Sequence, residues 1–318
     1  MSPAWLVEPQ VVRTAWGGTR VAPRFGWDID GQVGEYWLMS CHAKAITSLL
    51  AADGSTGPAL TDWLDGRADS PELPTGLPSA AGFPLLAKFL DSDERLSVQV
   101  HPDDVIAPTQ GEPNGKTEAW HILAAEPDAE MWVGLAADVT VEQLVDTVAG
   151  GAASAEVEAL LRRVPARAGD TWLIEAGTVH AVGPGVTLYE IQQTSDATWR
   201  IYDWDRPPTP ERPLHLAEAK AAASAGAPIE PVPEPADESG WTTLVACAAF
   251  ALDRGRVDGE LSVGDAPWCA ITVLNGSGTL RFQGGSLGLT PGATALVHGE
   301  ATLIGKDLRV LRALPPAR

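Results

Sequence analysis

The sequence predicts a mainly β protein of sandwich or barrel type. Three observations point there. Its 318 residues are punctuated by 32 glycines and 26 prolines, which break the chain into short apolar runs. Runs such as Leu96-Ser-Val-Gln-Val100 alternate with a period of two, as a strand with two unlike faces does. Helical signals are confined to a few short windows. Hydrophobic residues make up 45% of the chain, ordinary for a globular protein and enough for one large core or two smaller ones.

Taken in order, Leu60 to Leu64 reads as a short helix. The strand Leu96–Val100 runs into a turn at Pro102, with Val98 and Val100 on one side and Gln99 and His101 on the other. Asp103 and Asp104 are placed to order that turn. In Gly115-Lys-Thr-Glu-Ala-Trp-His-Ile-Leu123, alternation puts Glu118, Trp120 and Ile122 on one face and Ala119 and His121 on the other. His121 therefore turns away from any site that Glu118 serves. Thr140-Val-Glu-Gln143 has the form of a capping box, opening a helix that Gly150-Gly151 closes. Ser154 opens a second helix through Leu160, Leu161 and Val164, stopped by Pro165. The two form a helical insertion at about 138–165. Thr171 to Ile174 is again a strand, followed by a glycine turn and His180.

From Pro207 the chain becomes rich in Pro, Ala and Glu. A connector is expected at 216–240, between a catalytic domain at 1–215 and a C-terminal β-domain at 241–318. A faint internal repeat supports two similar domains. Gly169-Asp-Thr-Trp-Leu-Ile-Glu-Ala-Gly-Thr-Val-His180 lies over Gly292-Ala-Thr-Ala-Leu-Val-His-Gly-Glu-Ala-Thr-Leu303, with Leu303 where the first copy has His180. The second domain is expected to lack a metal site.

The formal net charge is -20, which disfavours nucleic acid and anionic membranes as partners. An anionic ligand would need local positive charge set against that field. Cys41, Cys247 and Cys269 are scattered and form no CxxC pair, so a cysteine-based zinc site is excluded and a reducing compartment is implied. Met1 to Arg20 has no basic stretch followed by an apolar run, and no run is long enough to span a bilayer. A cytoplasmic location is the expectation.

Gln99, His101, Glu118 and His180 stand out as potential metal ligands. Two imidazoles and a carboxylate suit a divalent transition metal, and a carboxamide oxygen can fill a fourth position. Spacing alone leaves a metal site and ordinary strand residues as open readings. His42, His215 and His298 have no partners at ligand spacing, and Asp203 and Asp205 read as turn and surface residues. Glu35 is open between a structural role and one behind the site.

Phe83-Pro-Leu-Leu-Ala-Lys-Phe-Leu90, Leu96 to Asp104, Gly115-Lys-Thr-Glu118, Gly177-Thr-Val-His-Ala181 and Gln193-Thr-Ser-Asp-Ala-Thr-Trp-Arg-Ile-Tyr-Asp203 stand in this order along the chain. Together they resemble the type I mannose-6-phosphate isomerases, most closely the short bacterial form. Trp16-Gly-Gly18 and Gly34-Glu-Tyr-Trp37 resemble that family's N-terminal motifs. The resemblance implies a cupin-like jelly roll with one Zn2+ per chain, a degenerate second cupin-like domain and a sugar-phosphate substrate. His101, Glu118, His180 and Gln99 fall on its metal positions, Gln99 being the least secure. Arg200 falls on its active-site arginine, and Trp16, Lys88, Ser97 and Lys116 on its substrate pocket. On this basis Lys88 and Ser97 are expected to hold the phosphate, while Arg200 faces the developing oxyanion. Lys116 is either a proton carrier or an anion binder, with metal-activated water as a third candidate. Two departures stand out: Glu175 where cupins often have proline, and Gly115 where longer members carry a histidine. A metal-dependent oxygenase and a non-catalytic sugar-binding cupin are the alternative readings.

Overall fold

A computed structural model describes residues 4–51, 54–66, 77–207, 209–210, 212–236 and 238–316. Three antiparallel sheets account for its strands. In spatial order, the first holds β11 (Thr171–Ile174), β8 (Glu118–Ala125), β13 (Val186–Gln193), β6 (Leu85–Ser92), β3 (Glu35–Met39) and β2 (Gln10–Val12). The second holds β10 (Leu161–Pro165), β9 (Glu130–Leu135), β12 (His180–Val182), β7 (Val98–Val100) and β14 (Trp199–Tyr202). These two sheets face each other as a jelly roll, the mainly β, cupin-like architecture the sequence implies.

The third sheet runs β15 (Gly240–Ala246), β16 (Ala251–Ser262), β21 (Ala301–Leu314), β17 (Cys269–Asn275), β20 (Thr294–Val297), β1 (Ala4–Glu8), β4 (Ser48–Leu50) and β5 (Thr56–Ala59). A hairpin of β18 (Gly278–Phe282) and β19 (Gly285–Leu289) joins it through β21. The chain's first strand thus lies in register with β20, Trp5 opposite Leu296. The C-terminal strands therefore share a sheet with N-terminal ones, across the expected connector at 216–240. Part of that connector is helical, at Leu216–Ala222.

Alternation of side chains assigns each face its core. Along β8, Trp120 and Ile122 join Trp16, Leu90, Met131 and Val182 between the two facing sheets. Ala119 and Leu123 point the other way, into a cluster with Phe89, Tyr189, Phe250 and Trp268 that joins the jelly roll to the C-terminal unit. The outer face of the second sheet is covered by Leu144, Val157 and Ala219 from helices. Burying such side chains stabilises by about 1.5–3 kcal/mol each. Leu303 is fully buried in the C-terminal core with Val257, Ile271 and Val310, so the second copy of the repeat puts packing where the first has a ligand.

Two of the three expected short helices form as read, and Val21–Phe25 and Leu216–Ala222 are helical as well. Leu60–Leu64 is helical, and the capping box forms: Thr140 Oγ1 accepts from Gln143 N at 3.2 Å while Gln143 Oε1 accepts from Thr140 N at 2.7 Å. The second helix, however, spans only Ser154–Glu158, with Ala153 as its N-cap, and Leu161–Pro165 is strand β10. Pairing with β9, Val164 opposite Met131, overrides the local helical pattern.

Candidate metal centre and substrate cavity

Register brings the candidate ligands together. On the second sheet, Gln99 of β7 has His180 of β12 directly opposite on one side and Arg200 of β14 on the other. The three side chains therefore share one face. His101 follows β7 by one residue, and its carbonyl accepts from Gly177 N at 2.9 Å, tying it to the turn before His180. Gly177 makes that turn with φ 88°, a conformation suited to glycine. Glu118 opens β8 on the facing sheet, with Trp120 on the same face.

One donor atom from each of His101, Glu118 and His180 lies within 4.8 Å of the others, and all three residues are buried. The arrangement fits a dication. His101 Nδ1 contacts the Ala197 carbonyl at 2.7 Å and His180 Nδ1 that of Thr178 at 2.9 Å. Each ring therefore donates through Nδ1 and turns the lone pair of Nε2 inward, the orientation a metal-binding histidine needs. Those Nε2 atoms lie 3.4 and 3.6 Å from the Glu118 carboxylate. Burial, reinforced by Lys116, lowers the His101 pKa to about 3, and burial also lowers that of His180, so both rings are neutral. Burial works against Glu118 ionising, but the Lys116 ammonium overrides it and holds the carboxyl well below its ordinary range. Glu118 Oε2 is buried without a hydrogen bond of good geometry, as a ligand atom would be. Gln99 Nε2 sits 3.1 Å from His180 Nε2 and its Oε1 accepts from Ser97 Oγ at 3.3 Å. A half-turn of the amide presents the oxygen to the same point.

The centre opens into a cavity of about 610 Å³ lined by Trp16, Lys88, Ser97, Gln99, Lys116 and Arg200, all singled out from sequence. A groove of about 620 Å³ on the C-terminal unit brings together Asp265, Arg281 and His298 but no ligand cluster. Lys116 Nζ stands 3.1 Å from Glu118 Oε2 and 3.2 Å from His101 Nε2. Gly115 beside it has no room for a side chain, since a Cβ there would meet Asp103 C and Asp104 N at 2.6 Å. Glu175 is exposed and gives the turn only its carbonyl, which accepts from Thr178 N at 3.0 Å.

Sequence reasoning missed Glu190. It lies in register between Lys88 and Trp120, accepting from Trp120 Nε1 at 3.1 Å and pairing with Lys88 Nζ at 3.0 Å. Burial, then Glu118, raises its pKa to about 7 against the pull of Lys88. Glu35 lies 3.7 Å from the same ammonium. Period-two alternation in Thr187-Leu-Tyr-Glu190 marks the face, but which strand it meets is long-range information. Lys88 is thus buried and held charged by two carboxylates, which override the cost of burial. Asp203 is also no surface residue: it is buried and binds both Arg206 and Arg212. Arg200 has the opposite character. Its Nη1 donates to the Pro213 carbonyl at 3.1 Å, its Nε is buried without a partner, and no carboxylate among the described residues pairs with it. His121, as expected, faces away and bonds Thr171 Oγ1 at 2.9 Å.

Residues 5–121 match the model of the phosphomannose isomerase type I catalytic domain. The mannose-6-phosphate isomerase of Streptococcus mutans is 33% identical over 286 residues, covering 88% of this chain and 87% of that protein. ManA of Bacillus subtilis, a mannose-6-phosphate isomerase, is 34% identical over 286 residues, covering 86% of each. The crystal structure of the mannose 6-phosphate isomerase from Bacillus subtilis superposes with a TM-score of 0.81 at 29% identity, over 98% of this chain and 99% of that one. A zinc-bound mannose 6-phosphate isomerase shares the fold at 18% identity, with a TM-score of 0.74 over 99% of this chain and 100% of that one.

Proposed function

The chain belongs to the type I mannose-6-phosphate isomerases, an enzyme family, and from that premise we propose that it interconverts mannose 6-phosphate and fructose 6-phosphate with one zinc ion per chain. His101, Glu118 and His180 would hold the ion, with Gln99 as a fourth ligand. The observation that carries this reading is the meeting of those three buried donors from separate β-segments within 4.8 Å. When bound there, zinc supplies Lewis acidity toward the sugar oxygens at C1 and C2.

The rest of the chemistry falls to side chains. Moving a proton between C1 and C2 through a cis-enediol builds negative charge on the neighbouring oxygens. Arg200, next to Gln99 across the sheet, offers a guanidinium that makes no ion pair among the described residues, suited to that oxyanion. Lys116 reaches the centre from the facing sheet and is positioned to carry the proton. The closed space at Gly115 supports this, because no neighbouring side chain can take the role from that position. Trp16 forms an apolar wall that excludes water, and Lys88 and Ser97 contact the sugar phosphate.

A coupled assay with mannose 6-phosphate, before and after chelation and zinc return, tests the function. Loss on chelation with recovery on zinc is expected; undiminished turnover in the metal-stripped protein would refute the metal assignment. Lys116→Gln is expected to stop exchange of the substrate's C1 and C2 hydrogens with deuterated solvent. Exchange at the wild-type rate would remove Lys116 from proton transfer.

A further inference from the structure

We propose that Arg212, in the proline-rich segment after β14, is the residue that reads the substrate's phosphate. The inference rests on the isomerase reading above and assigns a residue outside the motifs that carry the resemblance. Its first support is the fate of the other cavity cations. Lys44 pairs with Asp196 at 2.9 Å, Lys88 with Glu190 at 3.0 Å and Lys116 with Glu118 at 3.1 Å. Arg13 turns to a neighbouring loop, donating to the carbonyls of Gln32 and Asp30. Each lysine ammonium is thus matched by a carboxylate, and Arg13 is engaged by main-chain carbonyls.

Arg212 is paired on one edge only. Its Nε and Nη2 donate to the two oxygens of Asp203 at 2.7 Å each, which fixes the plane of the guanidinium and leaves Nη1, in the cavity wall, without a hydrogen bond among the described residues. Asp203 is shared with Arg206, which also binds Glu94, each at 2.9 Å, so two carboxylates face the three guanidinium groups of Arg200, Arg206 and Arg212. The segment is also fastened to Arg200. The Pro213 carbonyl accepts from Arg200 Nη1, and His215 pairs with the Arg200 main chain through N at 2.8 Å and Nδ1 at 3.1 Å. Two guanidinium groups are thereby held side by side at the cavity. After burial, Arg212 is the next influence lowering the pKa of Arg200. Holding like charges together is unfavourable unless an anion shares them, and a planar pair of donors suits a phosphate.

The span agrees. Ser97 and Gln99 line the cavity two residues apart on one face, about 6.6 Å along an extended chain. An extended hexose phosphate measures roughly 8 Å from C1 to phosphorus by ordinary bond lengths. With C1 and C2 at the metal end beside Gln99 and Arg200, the phosphate comes to Ser97 and the Arg212 guanidinium.

Arg212→Ala is tested against the wild-type holoenzyme by measuring KM and kcat for mannose 6-phosphate and the competitive inhibition constant of inorganic phosphate. Both KM and the inhibition constant are expected to rise together, by about 10- to 100-fold, with kcat retained and bound zinc unchanged. A merely structural role through Asp203 would instead lower kcat and melting temperature without a matched loss of phosphate inhibition, and that result would overturn the proposal. Arg212→Lys covers the case in which the alanine variant does not fold. It keeps the charge but not the fork, so a smaller, parallel rise in both constants is expected, and unchanged constants overturn the inference. If wild-type protein shows no turnover of mannose 6-phosphate, the isomerase reading fails; if it turns over and neither variant moves KM, this inference fails alone.

Discussion

Replacing Arg200 with alanine separates catalysis from stability. The side chain makes one hydrogen bond, Nη1 to the Pro213 carbonyl, while its Nε is buried and unsatisfied. Losing the bond costs about 1 kcal/mol, and removing an unsatisfied buried donor returns a similar amount. The contacts that fasten the following segment, Arg200 N to His215 Nδ1 and His215 N to the Arg200 carbonyl, are made by the main chain and survive. The fold is therefore expected to melt within a few degrees of the wild type. Turnover is another matter. Removing one preorganised donor to a developing oxyanion typically costs about 100- to 1,000-fold, or roughly 3–4 kcal/mol. Steady-state kinetics with mannose 6-phosphate, beside a thermal melt of the same sample, give both numbers. Turnover within about tenfold of wild type at an unchanged melting temperature would refute the oxyanion role, and a collapsed melting temperature would refute the accounting of contacts.

Other consequences follow from the same geometry. Glu118→Ala, His101→Ala and His180→Ala are each expected to abolish bound zinc by elemental analysis while wild type carries one ion per chain; a metal-replete triple variant would place the ion elsewhere. His121, lowered from 6.5 to about 4 by burial and then by Arg254, is neutral in the fold, so the unfolded chain takes up its proton first. Its contribution is complete above about pH 6.5 and is lost as pH falls toward 4, roughly 3 kcal/mol; urea midpoints across that range should fall less steeply in His121→Gln. Gly115→Ala would drive a Cβ into the Asp103–Asp104 backbone at 2.6 Å, so a loss of about 1–3 kcal/mol with displaced Lys116 and reduced turnover is expected, measured by melting and kinetics.

How much was legible in the sequence depended on the range of the interaction. The strand face of Gln99, the outward turn of His121 and the capping box at Thr140 are set by neighbours a few residues away, and the structure has them as the local pattern implies. The helix opened near Ser154 stops short because Leu161–Pro165 finds a partner strand in β9, which no local window contains. Glu190 was invisible for the same reason. Its place between Lys88 and Trp120 is a matter of sheet register, and a glutamate in a strand otherwise reads as solvent-facing. Asp203 read as a surface turn residue although its partners Arg206 and Arg212 lie only three and nine residues on, because the irregular, proline-rich chain there has no periodicity to show them turning back.

The pairing of cavity charges also explains how a protein with net charge -20 can take up an anion. A paired cation contributes little beyond its own hydrogen bonds, because its partner cancels its field within a few ångströms. Lys88 between Glu190 and Glu35 is such a group, which leaves it able to hydrogen-bond a phosphate already in place but not to draw a dianion in from solvent. Attraction at longer range must come from charge left over. Arg200 pairs with no carboxylate among the described residues, and Arg206 and Arg212 have Asp203 and Glu94 between them. Three guanidinium groups thus face two carboxylates, and zinc would add two positive charges at the inner end. The uncompensated charge therefore runs along the second sheet and the segment fastened to it. On the proposed reading, that field would turn an incoming sugar phosphate before any contact is made, its charged end to Arg212 and its reacting carbons to Arg200, Glu118 and Lys116.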